Sequence, residues 1–254
     1  MVVYSSHLTK IFKNCFKLVF LTILSFATLV NLVACSTKER SQEVYADKPV
    51  FAKTKFGHIN NEDMVWLVIS EEENSYILMS EQLIDTLPYD TSGENNEWQK
   101  TSLYEYLNTD FVNTYFTKEE RDSLGFINDT NSDIVTIPTL ENIEFLYGEM
   151  FYLANGFYND KSYFEANEGI VASPTKLAVD NGIEVFDNNV YATIMQVDVD
   201  KRYDFATNCS AYWVIDRNDN NGDCYYITAT GYVSTTKPNT NYIGVRPIIR
   251  VMKG

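Results

Sequence analysis

The feature that most limits what this chain folds into is a charge-free apolar stretch, residues 18–33, which follows Lys10, Lys13 and Lys17 and ends on Ala34-Cys35. A basic start, an apolar centre and a small-residue exit form the three-part order of an export signal. At roughly 16 residues, broken by Thr22, Ser25, Thr28 and Asn31, the stretch is shorter than the roughly 20 residues of a comfortable membrane-spanning helix. Residues 1–34 are therefore expected to act as an address, with an uncleaved anchor as the weaker alternative. The composition of the rest changes accordingly. The 254 residues carry 20 basic and 35 acidic side chains, a formal charge of −15, and without the three leader lysines the remainder stands at −18. That is the wrong sign for phosphate backbones, so no nucleic-acid partner is expected.

The exit itself, Leu32-Val33-Ala34-Cys35, resembles the lipobox of bacterial lipoproteins. The resemblance implies a diacylglyceryl group on Cys35, a mature chain that starts there, and the membrane as a partner through that lipid, on its extracytoplasmic face. Two or more acyl chains anchor stably where one is marginal. Residues 35–55, with Ser36, Lys38, Glu39, Arg40 and Glu43, read as the lipidated Cys and a polar tether. Residues 56–254 show neither a repeat of fixed period nor a Pro/Gly-rich linker, and read as one domain.

Within that domain, Met64-Val65-Trp66-Leu67-Val68-Ile69 and Tyr76-Ile77-Leu78-Met79 flank a polar turn and predict a hairpin. Ser102 three residues before Glu105 is a capping-box spacing, and Leu103, Leu107, Phe111 and Tyr115 follow on one helical face. Thr117 and Glu120 repeat the signal, with Gly125 as a stop. Residues 134–137 predict a short strand ended by Pro138, after which Thr139 opens a helix carrying Leu140, Ile143 and Tyr147, closed by Gly148. Residues 149–174 show no sustained period and predict long irregular loops. Apolar runs return at 211–215, 224–233 and 244–251. Strands at both ends with helices between predict an α+β domain whose terminal strands share one mixed or antiparallel sheet.

The order of landmarks resembles an uncharacterised bacterial domain family found in secreted and lipid-anchored proteins of Firmicutes. The matching residues are Phe56-Gly57, Trp66-Leu67-Val68-Ile69, Trp98 with Ser102-Leu103-Tyr104-Glu105-Tyr106-Leu107-Asn108, and Phe116-Thr117-Lys118-Glu119-Glu120. Ala172-Ser173-Pro174-Thr175, Tyr212-Trp213-Val214-Ile215-Asp216-Arg217 and Gly244-Val245-Arg246-Pro247 follow. The resemblance implies a C-type-lectin-like fold, distantly related to formylglycine-generating enzymes, and brings no established reaction. The chain departs from the family pattern at Tyr104, Val214 and Asp216.

Few residues offer chemistry. His58 is the sole imidazole after the leader, which removes a multi-His zinc site. Cys209 and Cys224 are the two cysteines left to pair, and outside the cytoplasm a disulfide between them is permitted. Asp216, Asn218, Asp219, Asn221 and Asp223 place oxygen side chains at alternate positions, a pattern that suits calcium and equally suits a solvated turn. Phe157, Tyr158, Tyr163, Tyr212 and Trp213 are candidate stacking faces for a ligand. Arg246 is expected to pair with a carboxylate in the last strand. The expected function is a tethered binding or interaction module for glycans or a protein partner, with a carboxylate-dependent hydrolase or a structural envelope component as alternatives.

Overall fold

The computed structural model describes residues 51–95, 97–127, 132–148, 170–190, 204, 206–218 and 221–254. It opens with a three-strand meander. β1 (Lys53–Ile59) turns through Asn60 and Asn61, both at positive φ, into β2 (Glu62–Glu71), which returns as β3 (Ser75–Ser80). Two consecutive left-handed residues make the tight turn whose twist matches antiparallel strands. The expected hairpin is thus present. β1 is an addition: Lys53, Thr54 and Lys55, read as tether, pair with Leu67, Trp66 and Val65.

A short β4 (Asp85–Thr86) leads to a 3₁₀ turn at Trp98–Lys100 and to α1 (Ser102–Tyr106). The N-cap is Thr101, whose hydroxyl accepts from the Tyr104 N–H, one residue before the expected Ser102. A π-helical turn, Leu107–Phe111, continues into α2 (Val112–Tyr115). In a straight α-helix, residues four apart drift by about 40° per step. The wider turn resets that drift, so Leu103, Leu107 and Phe111 are all buried. In α3 (Lys118–Asp122), Thr117 and Glu120 form the expected capping box, and Glu120 also accepts from the Gly57 N–H at 2.8 Å, tying the helix to β1. Gly125 is no cap; it lies in β5 (Leu124–Gly125) against Arg250, where a Cβ would meet Met252 Sδ at 2.8 Å.

β6 (Val135–Thr136) precedes α4 (Leu140–Tyr147), opened by a Thr139–Asn142 capping box and closed by Gly148 at φ 86°, as expected. α5 (Lys176–Asp180), capped by Thr175, was not anticipated. β7 (Tyr212–Arg217), β8 (Cys224–Ile227) and β9 (Val233–Thr236) then form a meander, and β10 (Gly244–Val245) and β11 (Ile248–Met252) finish the chain.

Two sheets result. One runs β1-β2-β3-β11-β5 with β6 also on β11, so the last strand does lie beside the early hairpin, Ile248 opposite Met79. The other runs β4-β10-β7-β8-β9, with β10 parallel to β7 and antiparallel to β4. The architecture is α+β with mixed and antiparallel sheets. Lys48–Gly254 is one compact unit. Its largest core gathers Trp66, Leu103, Leu107, Phe111, Trp213 and Val245, and a second gathers Leu83, Ile143, Ile170, Tyr212 and Val233. Among the described residues no helix is long and apolar enough to cross a membrane.

Candidate functional site

Side-chain alternation along the β4–β10 pair creates two opposed polar centres. Asp85 sits opposite Val245, so both project to one face, where Val245 packs in the larger core beside Tyr106. Arg246 is the next residue and points to the other face, against Tyr212 of the second core. The expected partnership of Arg246 with a carboxylate fails for that reason. The nearest acid in register is across the ladder.

Arg246 is 2 % exposed. Its Nε donates to the Ser80 carbonyl at 3.1 Å, and its Nη1 donates to the Ile170 carbonyl at 3.0 Å and to the Tyr212 hydroxyl at 3.3 Å. Tyr212 in turn donates to the Ile170 carbonyl at 2.9 Å, and its ring lies under the guanidinium, 5.2 Å from centroid to Cζ. Burial opposes the guanidinium charge, but the facing Tyr212 and Tyr147 hydroxyls outweigh it and hold its pKa above the ordinary value. Burial pushes the Tyr212 hydroxyl up as well, so it remains a neutral phenol. Both side chains converge on Ile170, which follows the aromatic-rich residues 149–169 in sequence.

Asp85 is 6 % exposed, and its partners are neutral. Oδ1 accepts from the Thr86 N–H at 2.8 Å and from Asn181 Nδ2 at 2.7 Å; Oδ2 accepts from the Tyr106 hydroxyl at a long 3.3 Å. Three elements bring these groups together. Thr86 is pinned by its hydroxyl to the Asn241 and Ile243 carbonyls. α5 is stitched to the start of β4, because the Thr175 N–H donates to the Leu83 carbonyl and its hydroxyl to the Ile84 carbonyl; this delivers Asn181 just past the helix. Tyr106 and Tyr115 flank the π-helical turn, and their hydroxyls meet. Burial first, and then the Asp85 carboxylate, push the Tyr106 hydroxyl up, which keeps it a donor. Exposure rises outward, from buried Asp85 through half-buried Tyr106 and Tyr115 to exposed Asn181. One sign of this centre lay in the residue order: an acid inside the apolar run Leu83-Ile84-Asp85-Thr86-Leu87 is uncommon and wants a reason.

The residues singled out from sequence fare differently. Tyr212 and Trp213 are both 0 % exposed, so neither offers a stacking face; Trp213 Nε1 donates to the Leu87 carbonyl at 2.8 Å and the residue is core. Period-2 alternation suggests that one of two neighbours faces solvent, but β7 lies inside its sheet with a core on each face. Phe157, Tyr158, Tyr163 and Cys35 lie outside the described residues.

Cys209 and Cys224 are both buried thiols and are not joined. Arg217 lies opposite Cys224 and Tyr212 opposite Ile227, while Cys209 precedes Tyr212. At ~3.3 Å per residue the intervening strand separates the two α-carbons by on the order of 15 Å or more, against a ceiling of about 7 Å for a bridge. Burial pushes the Cys209 thiol up and the Cys224 thiol up to about 12, so neither is a ready nucleophile.

In the acidic loop, Asp216 Oδ2 accepts from the Leu140 N–H at 2.7 Å, where it completes the N-terminus of α4 and favours its dipole. Asp223 accepts from Lys237 Nζ at 2.6 Å and from Asn221 Nδ2 at 2.9 Å. The Asn218 N–H closes the turn on the Asp223 carbonyl. Asp219 lies outside the described residues. Among those described, no three His, Cys, Asp or Glu side chains gather to hold a metal. His58 is exposed and its Nε2 lies 3.2 Å from Asp63 Oδ1 on the β1–β2 hairpin.

No curated protein and no solved structure matches the chain. A family match covers residues 73–253, which includes both polar centres and every element from β3 onward, whereas the resemblance in the sequence began at Phe56. The chain belongs to that family, DUF6273, a domain of unknown function.

Proposed function

We propose that this protein is a binding or interaction module held on the extracytoplasmic face of a bacterial membrane by the lipid on Cys35, with a glycan or a protein as its ligand. The observation that supports it most is the clamp on Ile170. A buried guanidinium and a buried tyrosine both fix the carbonyl at the return of residues 149–169, and α4 with its own caps leads into their start. Gly148 and Ile170, on either side of Phe157, Tyr158 and Tyr163 in sequence, are thus both held by the scaffold, and recognition residues are commonly placed beside such rigid elements. A C-type-lectin-like ancestry is part of the same reading.

The test is retention on purified cell-wall sugars and on whole-envelope protein by the intact protein and by the triple variant Phe157→Ser, Tyr158→Ser, Tyr163→Ser. Loss of retention with an unchanged melting temperature is expected; full retention by the variant overturns the assignment of the ligand to this segment. The anchor is tested separately. Cys35→Ala should leave an unprocessed precursor in the membrane fraction, and a mature mass unchanged by that substitution removes the lipid from the reading.

A further inference from the structure

We infer that the Asp85 centre is a receptor for a primary alkylammonium group, entering past Tyr115 and Asn181. The carboxylate is 6 % exposed, and its partners are a backbone N–H, an amide and a phenol. A buried anion is normally matched by a cation, because neutral donors return only part of the lost hydration. Arg246, which follows the residue paired with Asp85 across the β4–β10 ladder, is committed on the opposite face to Ser80, Ile170 and Tyr212. A carboxylate has about four acceptor positions. At Asp85, Oδ1 takes two short bonds, while Oδ2 has a single bond of 3.3 Å to a hydroxyl that itself leans toward half-buried Tyr115. The underused oxygen is therefore the one that faces the tyrosines.

An ammonium group fits this arrangement on three counts. It carries three donors and no acceptor, so it can bond Oδ2 and the two phenol oxygens at once. Its charge neutralises a carboxylate that the fold leaves uncompensated among the described residues. A carboxylate ligand would be repelled by Asp85 and a neutral alcohol would leave its charge unmatched, which sets the ammonium apart from both. A planar guanidinium is a poorer match for a single open oxygen, since its strength lies in two parallel bonds. The ammonium can come from a lysine side chain of a peptide or from an amino sugar, and the two share this chemistry. The site does not rely on residues 149–169, so its failure leaves the retention test above unaffected.

The experiment is a thermal melt and a tyrosine-ring NMR titration of the intact protein with n-butylammonium chloride, with n-butanol and sodium butyrate as uncharged and anionic controls. n-Butylammonium should raise the melting temperature in step with its concentration and move the Tyr106 and Tyr115 ring signals, and both controls should do neither. Asp85→Asn should weaken the response at least about tenfold. Tyr115→Leu, at the half-exposed end, should weaken it less and serves if Asp85→Asn does not fold. N-acetyl-lysine amide and glucosamine then separate a peptide source from a sugar source, N-acetylglucosamine being the uncharged comparison. Ring signals unmoved by n-butylammonium, or a response as large in Asp85→Asn as in the parent, overturn the inference.

Discussion

Arg246 and Asp85 are neighbours across one short ladder, are almost equally buried, and carry opposite charges, yet the fold treats them differently. Arg246 is sealed: carbonyls and a phenol from β3, β7 and the chain at Ile170 surround it, and its bonds span 34 to 166 residues of sequence. Asp85 is buried but bonds to half-buried Tyr106 and to exposed Asn181. The difference shows that burial alone does not separate scaffold from site. What separates them is whether the polar atoms are fully used and whether the cluster leads outward.

The largest effect expected from that contrast is at Arg246. Arg246→Ala strands the Ser80 and Ile170 carbonyls and the Tyr212 hydroxyl in a dry interior, and should lower unfolding free energy by about 3–5 kcal/mol in a urea titration. A loss below about 1 kcal/mol would make Arg246 dispensable and erase the contrast. Next is Gly244, which threads between the two centres. A Cβ there would lie 2.7 Å from Leu83 Cδ1, 2.8 Å from Ile183 Cδ1 and 3.0 Å from the Ala211 carbonyl oxygen, so Gly244→Ala should cost about 1–3 kcal/mol and disturb both.

Asp90 supplies an acid that is scaffold by the same criterion. Burial raises its carboxyl, but donors from Ser92, Asn95 and Ser102 outweigh this and hold its pKa at about 2. The folded value lies below the unfolded one of roughly 4, so its stabilisation, about 2–3 kcal/mol, is complete above pH 4 and is lost as pH falls toward 2. Acid titration of Asp90→Asn, followed by circular dichroism, should show a shallower decline over that window. Asp85→Asn, in contrast, keeps the Thr86 and Asn181 bonds and should change stability by less than about 1 kcal/mol. The smallest effect concerns the 216–223 loop. With Asp216 bound to α4 and Asp223 to Lys237, the melting temperature should be the same in EDTA and in millimolar calcium, and a rise with calcium would return those oxygens to consideration as a site.

Much of the fold is legible in the sequence because its signals are local. Thr117–Glu120 and Thr139 wrote their helix starts, Gly148 wrote a stop, and the short apolar runs wrote β2, β3 and β11. The errors fall where local rules compete. Thr101 and Ser102 are adjacent capping residues, and only the Tyr104 N–H geometry chooses Thr101. β1 is polar because it is an edge strand, exposed at Lys53, Thr54 and Lys55, so it reads as tether. The site was harder. Tyr212 and Trp213 looked like ligand faces because sheet burial on both sides is a tertiary fact. Asp85, Tyr106, Tyr115 and Asn181 come from elements up to 96 residues apart, and no spacing in a single sequence joins them. The Cys209–Cys224 bridge was permitted by compartment and is excluded by register.

Paired urea titrations of Arg246→Ala and Asp85→Asn, each with and without n-butylammonium chloride, measure scaffold and receptor character in the same samples. Arg246→Ala should unfold several kcal/mol more easily, while Asp85→Asn should keep near-parental stability and lose the stabilisation that the amine gives the parent. An Asp85→Asn protein as unstable as Arg246→Ala, or one still stabilised by the amine to the parental extent, would contradict the distinction between the two centres.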